Sequence, residues 1–273
     1  MSIVRDYNGF VDLDKWNIKH RQILNIFNSF TFVKHNQRYY FKELKNTRDC
    51  YNELVGYELA CQFGLNAVPY DIASYDGFVG YLSEDYMKEG YVYLEKILES
   101  TYNNTRDKNN LDCATIALKN YFPEQVALRI SDELLNLLMF DVIIANYDRH
   151  DRNILIDTKN GCLGPVSDNE MMLNEDSMYD QYFSFSMFEG DRHTVDNLLS
   201  YLDLEQLNYF ASKVELIKED NIRNIIKTIE IKLGAPLIEA LKEDILKKFK
   251  SHYAYLLRMI KKELEERKKL SKK

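Results

Sequence analysis

The hydrophobic and polar positions of this chain follow a strand-like pattern near the N-terminus and a helix-like pattern after it. Aromatic and branched residues flank a short polar turn within 29–44, which predicts an antiparallel pair of strands. A second pair is predicted within 68–82, because the Asp-Gly dipeptide at 76–77 is a strong hairpin signal. Between the two pairs, 50–63 has helical spacing and stops at Gly64. The first part of the chain therefore predicts a small antiparallel sheet with one helix.

The rest of the chain is mainly helical by its spacing. A long apolar helix is predicted from Pro123 to Ala145, since proline is tolerated in a first helical turn and the acidic residue after it suits the positive end of the helix dipole. From Thr194 to the end, apolar residues recur at helical spacing and predict helices that face a core. We expect a bilobal α+β fold, with an N-lobe at 1–84 and a larger, mainly helical C-lobe at 85–273.

One polar loop interrupts the apolar pattern, and the order of its residues suits phosphoryl transfer. Asp148 lies just beyond the long helix, which would hold its carboxylate at a fixed place as a base. Asn153 follows at the mouth of an apolar strand, where its amide oxygen can bind a metal. A predicted hairpin at 160–161 returns the chain, so that Asp168 comes back beside Asn153. One carboxylate and one amide are a sufficient protein contribution to a Mg²⁺ site, and phosphoryl transfer also needs a base.

A lysine on the first strand pair is the candidate for binding phosphate. On a period of two, Lys42 shares a strand face with Tyr40 and Leu44, and a cation among apolar neighbours needs a carboxylate or a phosphate. Glu53 on the following helix is the predicted partner, and Glu58 is the alternative. An ion pair between Lys42 and Glu53 would position the ammonium for the phosphates of ATP.

The motif Asn-x-Asp-Arg-His-x-x-Asn at 146–153, followed by a strand, a hairpin and Pro-x-x-Asp at 165–168, resembles HipA-like and CtkA-like bacterial protein kinases. Phosphoinositide kinases carry a similar Asp-Arg-His-x-x-Asn loop. The resemblance implies a protein-kinase-like fold, ATP and Mg²⁺ as cofactors, and phosphoryl transfer to serine or threonine of a protein substrate.

The resemblance also implies a role for each residue of the site. Asp148 would be the catalytic base, Asn153 and Asp168 would hold magnesium, and His150 would orient the loop. Lys42 would bind the ATP phosphates. The segment that crosses between the lobes would offer backbone groups to adenine, and it comprises Ser83, Glu84 and Asp85.

Two observations leave other functions open. No glycine-rich phosphate loop precedes Lys42, which is compatible with a pseudokinase that only binds a nucleotide or a partner protein. The catalytic-loop motif also serves lipid or small-molecule kinases, but these would be favoured by a basic activation loop, whereas 174–192 is acidic and fits a peptide substrate with basic residues. The tripeptide Asp-Arg-His recurs at 191–193 without an asparagine five residues after its aspartate, and we interpret it as a surface turn.

Composition limits the remaining function classes. A formal net charge of -7 argues against nucleic-acid binding as the main role, which needs a basic field. The Lys/Arg-rich stretch 247–273 is interpreted as a solvated helix face. The four cysteines stand singly and are typical of free thiols in a reducing cytoplasm. No apolar stretch is long enough to span a bilayer. We expect a cytoplasmic protein, with secretion or translocation into another cell left open and the oligomeric state undetermined.

Overall fold

A computed structural model describes residues 5–16, 21–23, 29–44, 47–103, 110–146, 148–173 and 194–270. Two sequence predictions lie outside these described residues. They concern the acidic segment 174–192 and the repeated tripeptide at 191–193.

The first third of the chain forms a six-stranded sheet in the order β1-β5-β6-β4-β3-β2. The predicted strand pairs are present as β3–β4 and β5–β6, and both are antiparallel. β1 was not predicted, and it pairs parallel to β5. The sheet is therefore mixed rather than wholly antiparallel, because a short N-terminal strand adds to its edge. The strands are β1 (Val11–Asp12), β2 (Arg21–Ile23), β3 (Ser29–Lys34), β4 (Gln37–Glu43), β5 (Asp71–Tyr75) and β6 (Phe78–Glu84).

The two faces of this sheet differ in chemistry because side chains alternate along a strand. The outer face is apolar and forms a small core that contains Val11, Leu13, Phe30, Phe32, Phe41, Ala73 and Leu82. On the inner face, Lys42 lies opposite Ser29 on one side and Tyr81 on the other, and Tyr40 lies opposite Ser83. The sheet thus presents a lysine, hydroxyls and tyrosines toward the rest of the molecule.

The remaining elements are mainly helical. This confirms the predicted α+β fold class, in which a sheet with one helix precedes a mainly helical part. A small second sheet joins β7 (Tyr91–Tyr93), β8 (Leu155–Asp157) and β9 (Cys162–Leu163). No helix within the described residues is both long and apolar enough to cross a membrane. The helices are α1 (Thr47–Phe63), α2 (Leu94–Thr101), α3 (Leu111–Tyr121), α4 (Glu124–Ile144), α5 (Thr194–Tyr201), α6 (Leu204–Val214), α7 (Glu219–Leu233) and α8 (Glu239–Leu270).

Helix α1 lies between the sheet and the helical half, and polar contacts hold it at both ends. Near its start, the Arg48 guanidinium lies 3.1 Å from the Asp244 carboxylate of α8. At its end, Lys213 Nζ of α6 donates to the carbonyl of Phe63 at 2.7 Å. These contacts attach α1 to the helical half at both of its ends.

Helix α4 is the centre of the main core and determines where the catalytic-loop motif begins. Its second half is almost entirely buried, as its unbroken apolar sequence requires. It ends at Ala145, which adopts a left-handed φ of 52°. The amide of Asn146 then donates to the carbonyl of Asp141 at 2.8 Å. This closure stops the helix and directs the chain into the loop at 146–153.

A buried histidine beneath α4 gives the fold a specific pH dependence. His252 of α8 lies within hydrogen-bond distance of the Val142 carbonyl, at 2.8 Å, and burial lowers its pKa to about 4. The unfolded chain binds this proton near pH 6.5, so the neutral folded state loses stability as the pH falls from about 6.5 toward 4. Between pH 7 and pH 5, this residue should cost the fold about 2 kcal/mol.

Urea unfolding at both pH values, compared with His252→Gln, tests this expectation. Glutamine keeps an N–H for the Val142 carbonyl but does not titrate, so the variant should lose about 2 kcal/mol less between pH 7 and pH 5. Parallel pH profiles for the two proteins would contradict it.

Candidate active site

One buried arginine holds the loop that follows α4. The side chain of Arg149 is 2% exposed, and its Nε and Nη2 each donate to the Asp141 carboxylate at 3.1 Å. Nη2 also donates to Asn169 Oδ1 at 2.8 Å. Nη1 donates to the carbonyl of Ser167 and, at 3.4 Å, to that of Asn153. A single guanidinium therefore joins α4, the end of the loop and the segment that follows β9.

Asn146 provides a second link between the same parts. Its amide nitrogen lies 3.3 Å from Asp141 Oδ1 and 3.4 Å from the carbonyl of Asp168, to both of which it can donate. Its amide oxygen accepts from the backbone N–H of Asp148 at 3.4 Å. The motif thus has an asparagine at each end, Asn146 and Asn153. Both side chains form hydrogen bonds with the backbone of the predicted base or metal ligands.

The loop residues predicted to act in catalysis have defined surroundings. Asn153 Nδ2 donates to the Asp148 carbonyl at 3.0 Å, which engages the amide nitrogen and leaves the amide oxygen for another ligand. His150 Nδ1 accepts from the backbone N–H of Arg152 at 3.2 Å and so caps the short turn that ends at Asn153. This contact agrees with an orienting role for His150, which stays a prediction.

The Asp148 carboxylate is half-buried, and its pKa is raised. Burial is the main cause, the charge of Asp168 adds to it, and His150 opposes it. A raised pKa makes a carboxylate a better proton acceptor.

The predicted ion pair between Lys42 and Glu53 is wrong. Lys42 Nζ instead donates to Glu170 Oε2 at 2.7 Å and lies 3.6 Å from Asp168 Oδ1. Burial alone would lower the pKa of Lys42, but Asp168 and Glu170 outweigh it and raise that pKa above its ordinary value. The alternative partner, Glu58, makes no such contact with Lys42 within the described residues.

Glu53 has a different role in the structure. It is fully buried, and its Oε1 accepts from the backbone N–H of Asn169 at 2.8 Å. Its second oxygen has no hydrogen-bond partner in the part of the chain that the structure describes. Burial and the nearby charge of Asp168 raise the pKa of Glu53 to about 8. Carboxylate oxygens of Glu53, Asp168 and Glu170 lie within 4.8 Å of one another and form an acidic cluster beside Lys42.

The segment predicted to contact adenine begins at the end of β6. Ser83 is buried, and its hydroxyl has no partner among the described residues. Glu84 is exposed. The backbone N–H of Asp85 donates to the Arg38 carbonyl at 2.9 Å, and its carboxylate pairs with the Arg38 guanidinium at 3.1 Å. A ligand role for these three residues stays a prediction, as does the lobe boundary placed after Glu84.

Sequence reasoning missed Arg149, Asp141 and Glu170. The first two could have been found, because Asp141 interrupts an apolar helix run and a buried carboxylate needs a cation or several donors. Glu170 had no comparable signal, because its contact with Lys42 joins residues 128 positions apart.

Comparison with solved protein structures identifies the fold of the chain. No protein-family model and no curated protein sequence matches the chain. The crystal structure of the Helicobacter pylori proinflammatory kinase CtkA matches with a TM-score of 0.70 at 15% identity, over 94% of this chain and 99% of that one. This chain has the kinase-like fold of CtkA.

A second match supports the CtkA-like fold. HipA of Shewanella oneidensis MR-1, solved as a toxin–antitoxin complex with HipB and operator DNA, gives a TM-score of 0.53 at 15% identity, over 92% of this chain and 68% of that one. The resemblance to HipA-like and CtkA-like kinases is therefore confirmed at the level of the fold, and the role of each residue in the loop at 146–153 stays a prediction.

The buried pair of Arg149 and Asp141 should dominate the stability of the loop. Arg149→Met leaves a carboxylate buried without its cation, which should lower the free energy of unfolding by about 3–5 kcal/mol. Denaturant unfolding measures this change. Arg223→Met is the matched control, since it breaks an exposed ion pair with Glu219 within α7 and should have little effect. Equal losses in the two variants would contradict the role of Arg149.

Proposed function

We propose that this protein is an ATP- and Mg²⁺-dependent phosphotransferase that acts on serine or threonine of a protein substrate. One juxtaposition carries the proposal. Lys42, from the sheet, lies 3.6 Å from the Asp168 carboxylate, and the backbone at Ser167 and Asp168 is linked through Arg149 and Asn146 to the loop that carries Asp148 and Asn153. Phosphoryl transfer needs a cation for the phosphates, oxygen ligands for a metal and a carboxylate base, and these residues supply all three.

The donor set fits a magnesium ion. The Asn153 amide nitrogen is engaged with the Asp148 carbonyl, so the oxygen is the atom left to bind a metal. The Asp168 side chain is 27% exposed and supplies a hard carboxylate oxygen beside Lys42. Magnesium takes few protein ligands and keeps waters and phosphate oxygens. When bound, it would neutralise the charge on the transferring phosphoryl group.

Residues of the chain would accept the proton and bind the phosphates. Asp148 would accept the proton of the substrate hydroxyl, and its raised pKa favours that step. Lys42 would donate to phosphate oxygens. The description of CtkA as a kinase supports the same activity here by analogy. The alternatives are a lipid or small-molecule kinase and a pseudokinase, and an acceptor panel together with the variants below separates them.

Asp148→Asn should lower phosphoryl transfer by about 10²- to 10⁴-fold, because it removes the base but keeps the size of the side chain. The assay is transfer of labelled phosphate from ATP to serine and threonine peptides with basic flanks, and to a phosphoinositide as the lipid acceptor. Asp132→Asn on the exposed side of α4 is the control and should keep wild-type activity. Equal transfer by wild type and Asp148→Asn would remove the assignment of the base.

Nucleotide binding should depend on magnesium through Asp168. At a ligand concentration about 100 times its Kd, ADP with Mg²⁺ adds about 2.7 kcal/mol of stability, which corresponds to a rise in Tm of roughly 5 °C. Asp168→Asn should abolish the magnesium-dependent part of this rise, because the carboxylate ligand is lost, whereas Asp148→Asn should retain it. A magnesium-dependent shift of full size in Asp168→Asn would contradict the metal site.

A further inference from the structure

We propose that Glu170 is the positioning residue for Lys42, so that the carboxylate partner of the lysine comes from the segment that carries Asp168 and not from α1. The inference rests on the proposed function, because Lys42 is the residue that would bind the phosphates of ATP. It assigns a role to a residue that the loop motif does not include.

The contact between the two side chains is direct and shielded. Lys42 Nζ donates to Glu170 Oε2 at 2.7 Å, which is a charge-assisted hydrogen bond of short length. The side chains of Lys42 and Glu170 are 23% and 20% exposed, so water screens this pair less than a surface pair. The Asp168 carboxylate lies on the same ammonium at 3.6 Å. Lys42 is thus held between two carboxylates that are two residues apart in the chain.

Glu53 does not pair with Lys42, because its carboxylate binds a backbone amide instead. Its Oε1 accepts from the amide of Asn169, the residue between Asp168 and Glu170. The sequence predicted that one carboxylate on α1 would pair with Lys42, but the structure separates two roles. Glu53 fixes the backbone of the segment, and Glu170 on that segment contacts the lysine.

Two further residues of helix α1 contact the same segment. Asn52 Nδ2 donates to the carbonyls of Glu170 at 2.7 Å and Met172 at 3.0 Å. Gly56 allows the close approach, since a Cβ there would lie 2.7 Å from the Cβ of Asn169. The backbone that carries Glu170 is therefore held from α1 by side-chain hydrogen bonds and by direct packing.

The conformation of Asp168 places both carboxylates on the lysine. Its φ of 64° is left-handed, so the chain turns sharply between Ser167 and Asn169. This turn lets the carboxylates of Asp168 and Glu170 reach one ammonium. A displacement of the segment would then move the Asp168 carboxylate and the Lys42 ammonium together. One stretch of backbone would therefore set the positions of both groups.

Double-mutant cycles in the nucleotide-free protein test the contact without any use of activity. Lys42→Met is combined with Glu170→Gln and, separately, with Glu53→Gln, and unfolding is followed in denaturant. The pair Lys42 and Glu170 should couple by about fivefold or more in the unfolding equilibrium constant, whereas Lys42 and Glu53 should couple less strongly, because Glu53 contacts the backbone of Asn169 and not the ammonium. Additivity for Glu170 with strong coupling for Glu53 would overturn the assignment.

Kinetics test the role of the contact. Glu170→Gln should lower kcat/KM for ATP by about tenfold to a hundredfold, as expected for a misplaced binding group, and Glu170→Asp should recover part of the loss. In the Lys42→Met background, Glu170→Gln should cause no further loss, a result that a merely structural role would not give. Glu58→Gln is the matched control on α1 and should behave as wild type.

The remaining outcomes separate the inference from the proposed function. Faster transfer in Glu170→Gln would mean that Glu170 competes with the phosphates for Lys42, and it would overturn positioning while leaving the phosphotransferase proposal intact. A wild type that transfers no phosphate to any acceptor would overturn the proposed function and the kinetic role of Glu170 together. Strong coupling in the stability cycle would in that case still establish the ion pair.

Discussion

The site depends on the compensation of one buried positive charge. A guanidinium in the core is tolerated only when a carboxylate and several acceptors surround it, and Arg149 obtains these from Asp141, Asn169 and two backbone carbonyls. The acceptors come from three parts of the chain, namely α4, the loop and the segment after β9, so the charge can be satisfied only if those parts meet at fixed distances. The loop with Asp148 and Asn153 and the segment with Asp168 lie outside the strands and α-helices of the described residues, so this requirement helps to hold them in place.

The sequence predicted those features of the fold that are local. Paired strands with a short turn, the long helix α4 and the hairpin after Asn153 each carry their own pattern, and the hairpin returns the chain toward Asp168 as expected. The parallel pairing of β1 with β5 could not be predicted, because a strand of two residues has no periodicity and its partner is distant in sequence. The partner of Lys42 was missed for a similar reason. Helical spacing indicated Glu53 and Glu58 as partners of Lys42. The contact with Glu170 depends instead on a backbone turn that no sequence pattern predicts.

Backbone conformation shows the same division between local and tertiary control. Left-handed residues in the hairpin turns are His35, Asn36 and Asp76, and those nearest the site are Ala145, Asp168 and Leu173. Asn and Asp accept this region readily in turns, and it costs other residues about 1–2 kcal/mol each. At the site the cost is met by tertiary contacts, among them the hydrogen bond from the Leu173 amide to the Ala145 carbonyl at 3.2 Å. Conformations of this kind are imposed by the folded surroundings and are therefore invisible in the sequence.

The attachment of α1 at both ends has a mechanical consequence. Contacts from α8 near its start and from α6 at its end attach the helix to the helical half, so a tilt of α1 should be resisted at both ends. Tilting it would break the Arg48–Asp244 ion pair and disturb the carboxylate that holds the Asn169 amide. A molecule that displaces α1 should therefore also displace the backbone between Asp168 and Glu170, because Glu53 and Asn52 of the helix hold that backbone by hydrogen bonds.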